Sequence, residues 1–199
     1  MKYFKNIFIF TLGILFFGCA SFSKKDFKEQ SIPLNEHNLD KLNGNYSFYP
    51  INRYGKLFGR IHADSLKYTN SYQEVTNHNW KKKQKLDSIL TEKTYYSIAV
   101  KLSGSKRLHV SLLENGTKIR DTTFNGKIKN GMFYLDNKFL KCWGILYLFG
   151  GCQNNKRRIG LSLNTNLITN EAISDEGAFL FIFGAGVNYN ASYEFERIP

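Results

Sequence analysis

Three cysteines carry most of the reactive chemistry that this 199-residue sequence offers. Cys19 stands directly behind Gly18, at the end of an apolar run (residues 7–17) interrupted only by Thr11 and Gly13. A thiol at that position is nucleophilic enough to take a diacylglyceryl group as a thioether. The small residue before it leaves the preceding peptide bond open to a peptidase. Cys142 and Cys152 enclose an apolar loop, 143–151. In an oxidising compartment they are a candidate disulfide, stabilising by about 3 kcal/mol or slightly less for so short a loop. Two buried thiols are the alternative. A hairpin turn at Gly150-Gly151 would keep the two sulfurs from being cross-strand partners.

Other reactive types do not assemble by spacing. His37, His62, His78 and His109 are scattered, and none pairs with another His or a Cys at ligand spacing, so no metal site is predicted. Asp175-Glu176 precedes Gly177 in an expected turn, and Glu194 and Glu196 lie near the C-terminus. An acid–base dyad needs two carboxyl groups converging in a cleft, which spacing does not show. There is no G-x-S-x-G and no H-E-x-x-H. Gly184-Ala185-Gly186 lacks the following helix and acid of a dinucleotide loop and reads as a strand-end turn. No catalytic residue and no cofactor is predicted. Two basic runs, Lys81-Lys82-Lys83-Gln84-Lys85 and Lys156-Arg157-Arg158, read first as solvated charged faces. Anionic lipid, lipopolysaccharide or polysaccharide would be their partners, each Lys contributing about 1 kcal/mol near an anionic surface.

The elements that must hold these residues are strands. Seventeen Phe and 12 Tyr dominate an aromatic content of 16%, which excludes a disordered chain, and the length suits one domain. Tyr46 and Phe48 alternate with polar neighbours until Pro50. From residue 96 the chain reads as an antiparallel meander. Tyr96, Ile98, Val100 and Leu102 alternate, as do Leu108, Val110 and Leu112, and then Ile159, Leu161 and Leu163. Asn-Gly pairs at 115, 125 and 130 supply φ > 0 for tight turns. Residues 51–94 are the least readable, with helical turns expected near 82–90 from Leu86, Ile89 and Leu90. The apolar residues 143–149 suit core burial, or contact with a bilayer or partner. Residues 178–183 are apolar on both faces and are expected in a strand that is central or fully covered. The sum is an all-β antiparallel meander of about 8–10 strands, forming a barrel or sandwich.

The N-terminus has a basic start (Lys2, Lys5) and an apolar run too short to span a bilayer, which takes roughly 20 residues. Leu15-Phe16-Phe17-Gly18-Cys19 resembles the lipobox of bacterial lipoproteins. An ordinary signal peptide with a coincidental Cys is the alternative. The resemblance implies a signal peptide at 1–18, a lipidated tether at 19–41 (with an edge strand possible at 32–34) and a β domain at 42–199. It also implies acylation at Cys19, several chains giving a stable anchor. Without Lys2 and Lys5 the formal charge falls from +12 to +10. Ala20, rather than Asp, follows the lipid site, which implies the outer membrane, facing the periplasm. Nucleic acid is no partner for such a chain; an envelope protein, anionic lipid or glycan is. The whole resembles small β-rich lipoproteins of Gram-negative envelopes. Gly44-Asn45-Tyr46 is also faintly similar to the first strand of lipocalins, with Arg197 expected over the Tyr46 ring. The first likeness implies a non-enzymatic structural or interaction module. The second implies a carrier for a small apolar ligand or lipid.

Overall fold

Two-residue alternation and four left-handed turn residues account for most of the chain path. The computed structural model describes residues 20–22, 28–54, 69–77, 94–145, 149–179 and 183–199. Short strands come first: β1 (Ser31–Ile32), β2 (Gly44–Ser47) and β3 (Asn52–Tyr54). A single-turn helix, α1 (Ser71–Thr76), precedes β4 (Tyr96–Ser103), β5 (Arg107–Glu114), β6 (Thr117–Lys129) and β7 (Met132–Leu135). The remainder are β8 (Phe139–Ile145), β9 (Phe149–Ser162), β10 (Leu167–Phe179), β11 (Phe183–Phe195) and β12 (Arg197–Ile198).

These twelve strands form one antiparallel sheet in the order β12-β2-β4-β5-β6-β7-β9-β10-β11-β3, with β1 and β8 also paired to β9. The all-β class read from the sequence is therefore correct, with a larger strand number. The ladder does not close on itself as a barrel. Its two ends nevertheless share neighbouring chain, because Glu196 alone separates β11 from β12. The N–H groups of Ser47 and Ile51 donate to the carbonyls of Glu196 and Glu194 at 2.8 Å across that seam.

The buried side chains follow the alternation. Ile98, Leu108, Val110, Leu112, Phe133, Ile159, Leu161, Leu167 and Phe195 are all 0% exposed and belong to one cluster. Leu163, the third member of its expected series, is exposed because the chain is already turning at Thr165. The cluster begins with Leu34, Leu39 and Leu42, so the fold starts before residue 42. The segment read as a tether is thus partly domain: β1 pairs with Leu161 and Ser162, and Leu34 N–H donates to the Gly131 carbonyl at 2.8 Å. Every described core residue lies between Ala20 and Phe195.

Several turn expectations change. Asn115-Gly116 and Asn130-Gly131 are tight turns with positive φ at all four residues. Asn125-Gly126 is not a turn; it lies inside β6, where pairing passes from β5 to β7. A Cβ at Gly126 would collide with the Phe133 ring and the Tyr134 carbonyl, so glycine serves close approach there. Gly150-Gly151 and Gly184-Ala185-Gly186 are also interior strand residues, in β9 and β11. Residues 178–183 are not one central strand, since Phe179 of β10 pairs with Phe183 of β11; 180–182 lie outside the described residues. The helical turns expected near 82–90 and the run 81–85 lie outside the described residues. In α1, Asn70 caps the start by accepting from Gln73 N–H at 3.0 Å, while Asn77 ends the helix at φ 57°. Tyr72 and Val75, three apart, enter the core.

Arg197 ties the C-terminus to this frame. Its guanidinium lies 5.0 Å over the Tyr46 ring, as expected from the sequence, and donates to the Tyr46 hydroxyl at 2.7 Å. It also donates to the carbonyls of Asn43 at 2.8 Å, Thr165 at 3.1 Å and Lys41. Burial pushes the Tyr46 phenol up to about 12, against the lowering pull of Arg197. Gly44 is required beneath it, because a Cβ there would strike the guanidinium. Arg197→Ala should lower stability by about 2 kcal/mol, read as the urea midpoint of unfolding. Arg197→Lys should restore little, since a point charge cannot reach carbonyls on both sides of the ring.

Candidate functional site

Beyond the core, β9, β10 and β11 continue in strict register and β8 joins them, making a four-stranded ribbon. Each level is read from the Cα partners. Ile145, Phe149, Phe179 and Phe183 share the outermost level, and Gly144, Gly150, Ala178 and Gly184 the next. Trp143, Gly151, Gly177 and Ala185 form the third, and Cys142, Cys152, Glu176 and Gly186 the fourth. Lys141, Gln153, Asp175 and Val187 follow.

The two cysteines are direct cross-strand partners, bonded through sulfur, with Cα atoms 4.1 Å apart. The sequence reading that set them out of line rested on a turn at Gly150-Gly151. Those glycines instead pair with Gly144 and Trp143, which restores the register. Trp143 lies over the backbone of Gly151: a Cβ at Gly151 would sit 3.2 Å from the indole Cζ2. The indole is otherwise 52% exposed. A glycine covered by a cross-strand aromatic is a recognised way of stabilising a weak ladder position.

The base of the ribbon is ionic and buried. Arg157 and Arg158, read from the sequence as a solvated face, are each 7% exposed. Arg157 is ion-paired to Glu171 directly across the ladder. Arg158 donates to Asn170 at 2.6 Å and to the Tyr134 hydroxyl at 3.1 Å, and lies 4.3 Å over the Phe22 ring. Their partners come from a strand 12 to 14 residues away in sequence, so no local pattern announced them. Lys156 donates to the Ala20 carbonyl at 3.1 Å and Asn190 to the Ser21 carbonyl at 3.1 Å. The residues following Cys19 therefore dock on the ribbon. Cys19 itself lies outside the described residues.

A second buried group sits where β11 meets β3. The Glu194 carboxylate accepts from the Tyr54 hydroxyl at 2.6 Å and from Asn166 at 2.9 Å. Burial raises this carboxyl, but the donors Tyr54, Asn166 and Ser162 outweigh it and hold it net below its ordinary value of 4.5. Burial and the bond to Glu194 push the Tyr54 phenol up. Glu196 is exposed, and Asp175 and Glu176 are on the ribbon within β10 rather than in a turn. Glu176 accepts from Ser174 at 3.0 Å and Asn188 at 3.3 Å. Glu194 pairs with Ile168 and Glu176 with Gly186, near opposite ends of the same strands, so these acids do not converge. His109 meets Thr123 at 2.9 Å, His37 is exposed, and His62 and His78 lie outside the described residues. Among the described residues no three metal-ligating side chains meet. An open cleft of about 490 Å³ lies on the ribbon, lined by Gln153, Ile173, Asp175, Val187 and Tyr189.

The ribbon thus joins a buried ionic base to an end of apolar and glycine residues. No protein-family model matches the chain, and no curated protein is significantly similar to it.

Two outcomes test this geometry. Protein unfolded and alkylated without reduction should gain no alkyl mass at Cys142 or Cys152, whereas prior reduction should add two groups to their peptides. The lowered Glu194 pKa means its stabilisation is complete above the unfolded value and is lost as pH falls from about 4.5 through the folded value. Glu194→Gln should therefore flatten the acid limb of the stability–pH curve, measured by urea unfolding at successive pH values.

Proposed function

We propose that the protein is a lipid-anchored module of the bacterial cell envelope, non-enzymatic, held at the outer membrane and facing the periplasm. The observation that carries this reading is the order of its first residues: a basic start, the apolar run 7–17, Gly18 and then Cys19. A thiol at the end of such a run is placed for thioether lipidation, and acyl chains supply the anchor that the run is too short to provide as a span. The docking of Ala20, Ser21 and Phe22 supports it from the other side. A lipid on Cys19 would leave the protein next to Lys156 and Asn190, on the ribbon.

The module's task is binding to an envelope protein, anionic lipid or glycan. The filled interior favours this over a carrier, since Ile98, Leu108, Val110, Leu112 and Phe133 leave the core occupied by side chains. The decisive experiment compares the native chain with Cys19→Ser. The native chain should carry a diacylglyceryl mass on its N-terminal peptide and stay with membranes through alkaline carbonate. Cys19→Ser should lack that mass and be released. Retention of the variant through carbonate, or an unlipidated native chain, would overturn the anchor.

A further inference from the structure

We propose that the free end of the β8–β11 ribbon is a bilayer-docking tip that enters one leaflet of an anionic membrane. Its twelve outermost paired positions, three levels of four strands, carry five large apolar residues, five glycines and two alanines. None is polar. In the sequence, Leu-Tyr-Leu follows Ile145 and Leu-Phe-Ile follows Phe179. The same chain supplies its own control. Its other described hairpins turn through Gly104-Ser105-Lys106, Asn115-Gly116, Asn130-Gly131 and Leu163-Asn164-Thr165-Asn166, where Leu163 is the one large apolar residue. The register places Ile145, Phe149, Phe179 and Phe183 side by side at one end, Phe149 opposite Phe179.

Depth argues for lipid as the occupant. At about 3.3 Å per residue, three levels make an uncharged band roughly 10 Å deep. That is less than the ~15 Å of hydrocarbon in one leaflet and far short of a ~30 Å span. The band therefore enters a membrane without crossing it. Trp143 stands on its innermost level, half exposed, where an indole favours the boundary between hydrocarbon and headgroups. The next levels bring the first ionisable groups, Glu176, then Lys141 and Asp175. The net charge of +10 that remains without Lys2 and Lys5 draws the chain to an anionic surface. A second copy would be recognised along the strand edges, where backbone groups are free. An apolar band restricted to the hairpin ends is matched to an end-on medium instead.

The test uses the chain from Ala20 onward, which contains every described core residue and no lipid site, so its outcome is separate from that of the anchor. Of the two tryptophans, Trp80→Phe leaves Trp143 as the sole reporter. With vesicles of phosphatidylcholine and phosphatidylglycerol, its emission should shift to the blue and be quenched by lipids brominated high on the acyl chain. Trp143→Glu should weaken vesicle co-sedimentation by about tenfold or more, since a charge at that level opposes insertion. Its urea midpoint should fall only slightly, because the indole covers Gly151 but lies outside the core cluster and the disulfide still joins β8 to β9. Trp143→Phe, which keeps an aromatic ring there, should bind vesicles far better than Trp143→Glu at a comparable midpoint. Failure to bind vesicles would overturn the tip, as would unweakened binding by Trp143→Glu. Concentration-dependent association without lipid that Trp143→Glu abolishes would overturn it in favour of a second copy.

Discussion

The register of β9 against β10 and β11 is the constraint on which the rest depends. It is set at the buried end, where Leu161, Leu167 and Phe195 share one level at 0% exposure. Side chains alternate with a period of two, so a slip of one residue would turn that whole apolar set outward. The core therefore fixes a register that runs thirteen levels along the same strands, to Phe149, Phe179 and Phe183. Arg157 opposite Glu171 and Arg158 opposite Asn170 are consequences of it. So is the alignment of Cys142 with Cys152, once β8 has joined β9.

Along those strands the physical character changes twice. The first part is apolar core. The middle is a belt of buried charge and amide, where Arg157 without Glu171 would leave an uncompensated cation at a cost of about 3–5 kcal/mol. The belt is costly to desolvate, and its benefit is selectivity. A slipped ladder would set Arg157 against Asn170 or Ala172 rather than a carboxylate. The outer part has none of the large core cluster behind it. There the ladder, the disulfide and the indole over Gly151 hold the strands together.

What the sequence disclosed divides along the same line. Alternation and Asn-Gly pairs announce β4, β5 and their turns, because those signals are local and depend on one buried face. The placement of Arg197 over Tyr46 was legible only through the lipocalin resemblance, since the two residues lie 151 positions apart. The ribbon was not. Apolar runs at 143–149 and 178–183 have the same composition whether they are central strands or hairpin ends, and only pairing distinguishes them. The glycines misled for a related reason. Gly126, Gly150 and Gly151 serve close approach of neighbouring chain rather than positive φ, and sequence does not separate those two uses. Arg157 and Arg158 looked like surface charge because their partners are supplied by the next strand.

The proposed anchor and the proposed tip would constrain each other, since Ala20, the residue after Cys19, docks on the same ribbon. Ala20 is held at the level of Lys156, seven residues along β9 from Phe149. At about 3.3 Å per residue that separation is roughly 23 Å along the strand. The glyceryl group of a thioether-linked lipid on Cys19 would stay within several ångströms of the backbone, so an upright ribbon would hold that group well above a membrane that the tip had entered. Both contacts would meet one bilayer only with the ribbon oblique, the face that docks Ala20 nearer the headgroups and the opposite face, which carries Trp143, immersed at the tip alone. By alternation that face carries Lys156, Asn190, Asn154, Asn188, Leu140 and the Cys142–Cys152 bridge. Glu176, its nearest carboxylate to the tip, is hydrogen-bonded to Ser174 and Asn188 on the same face. A surface of amides, one lysine and an exposed leucine suits the headgroup layer, and an oblique ribbon is the orientation in which lipid anchor and apolar tip reinforce rather than oppose each other.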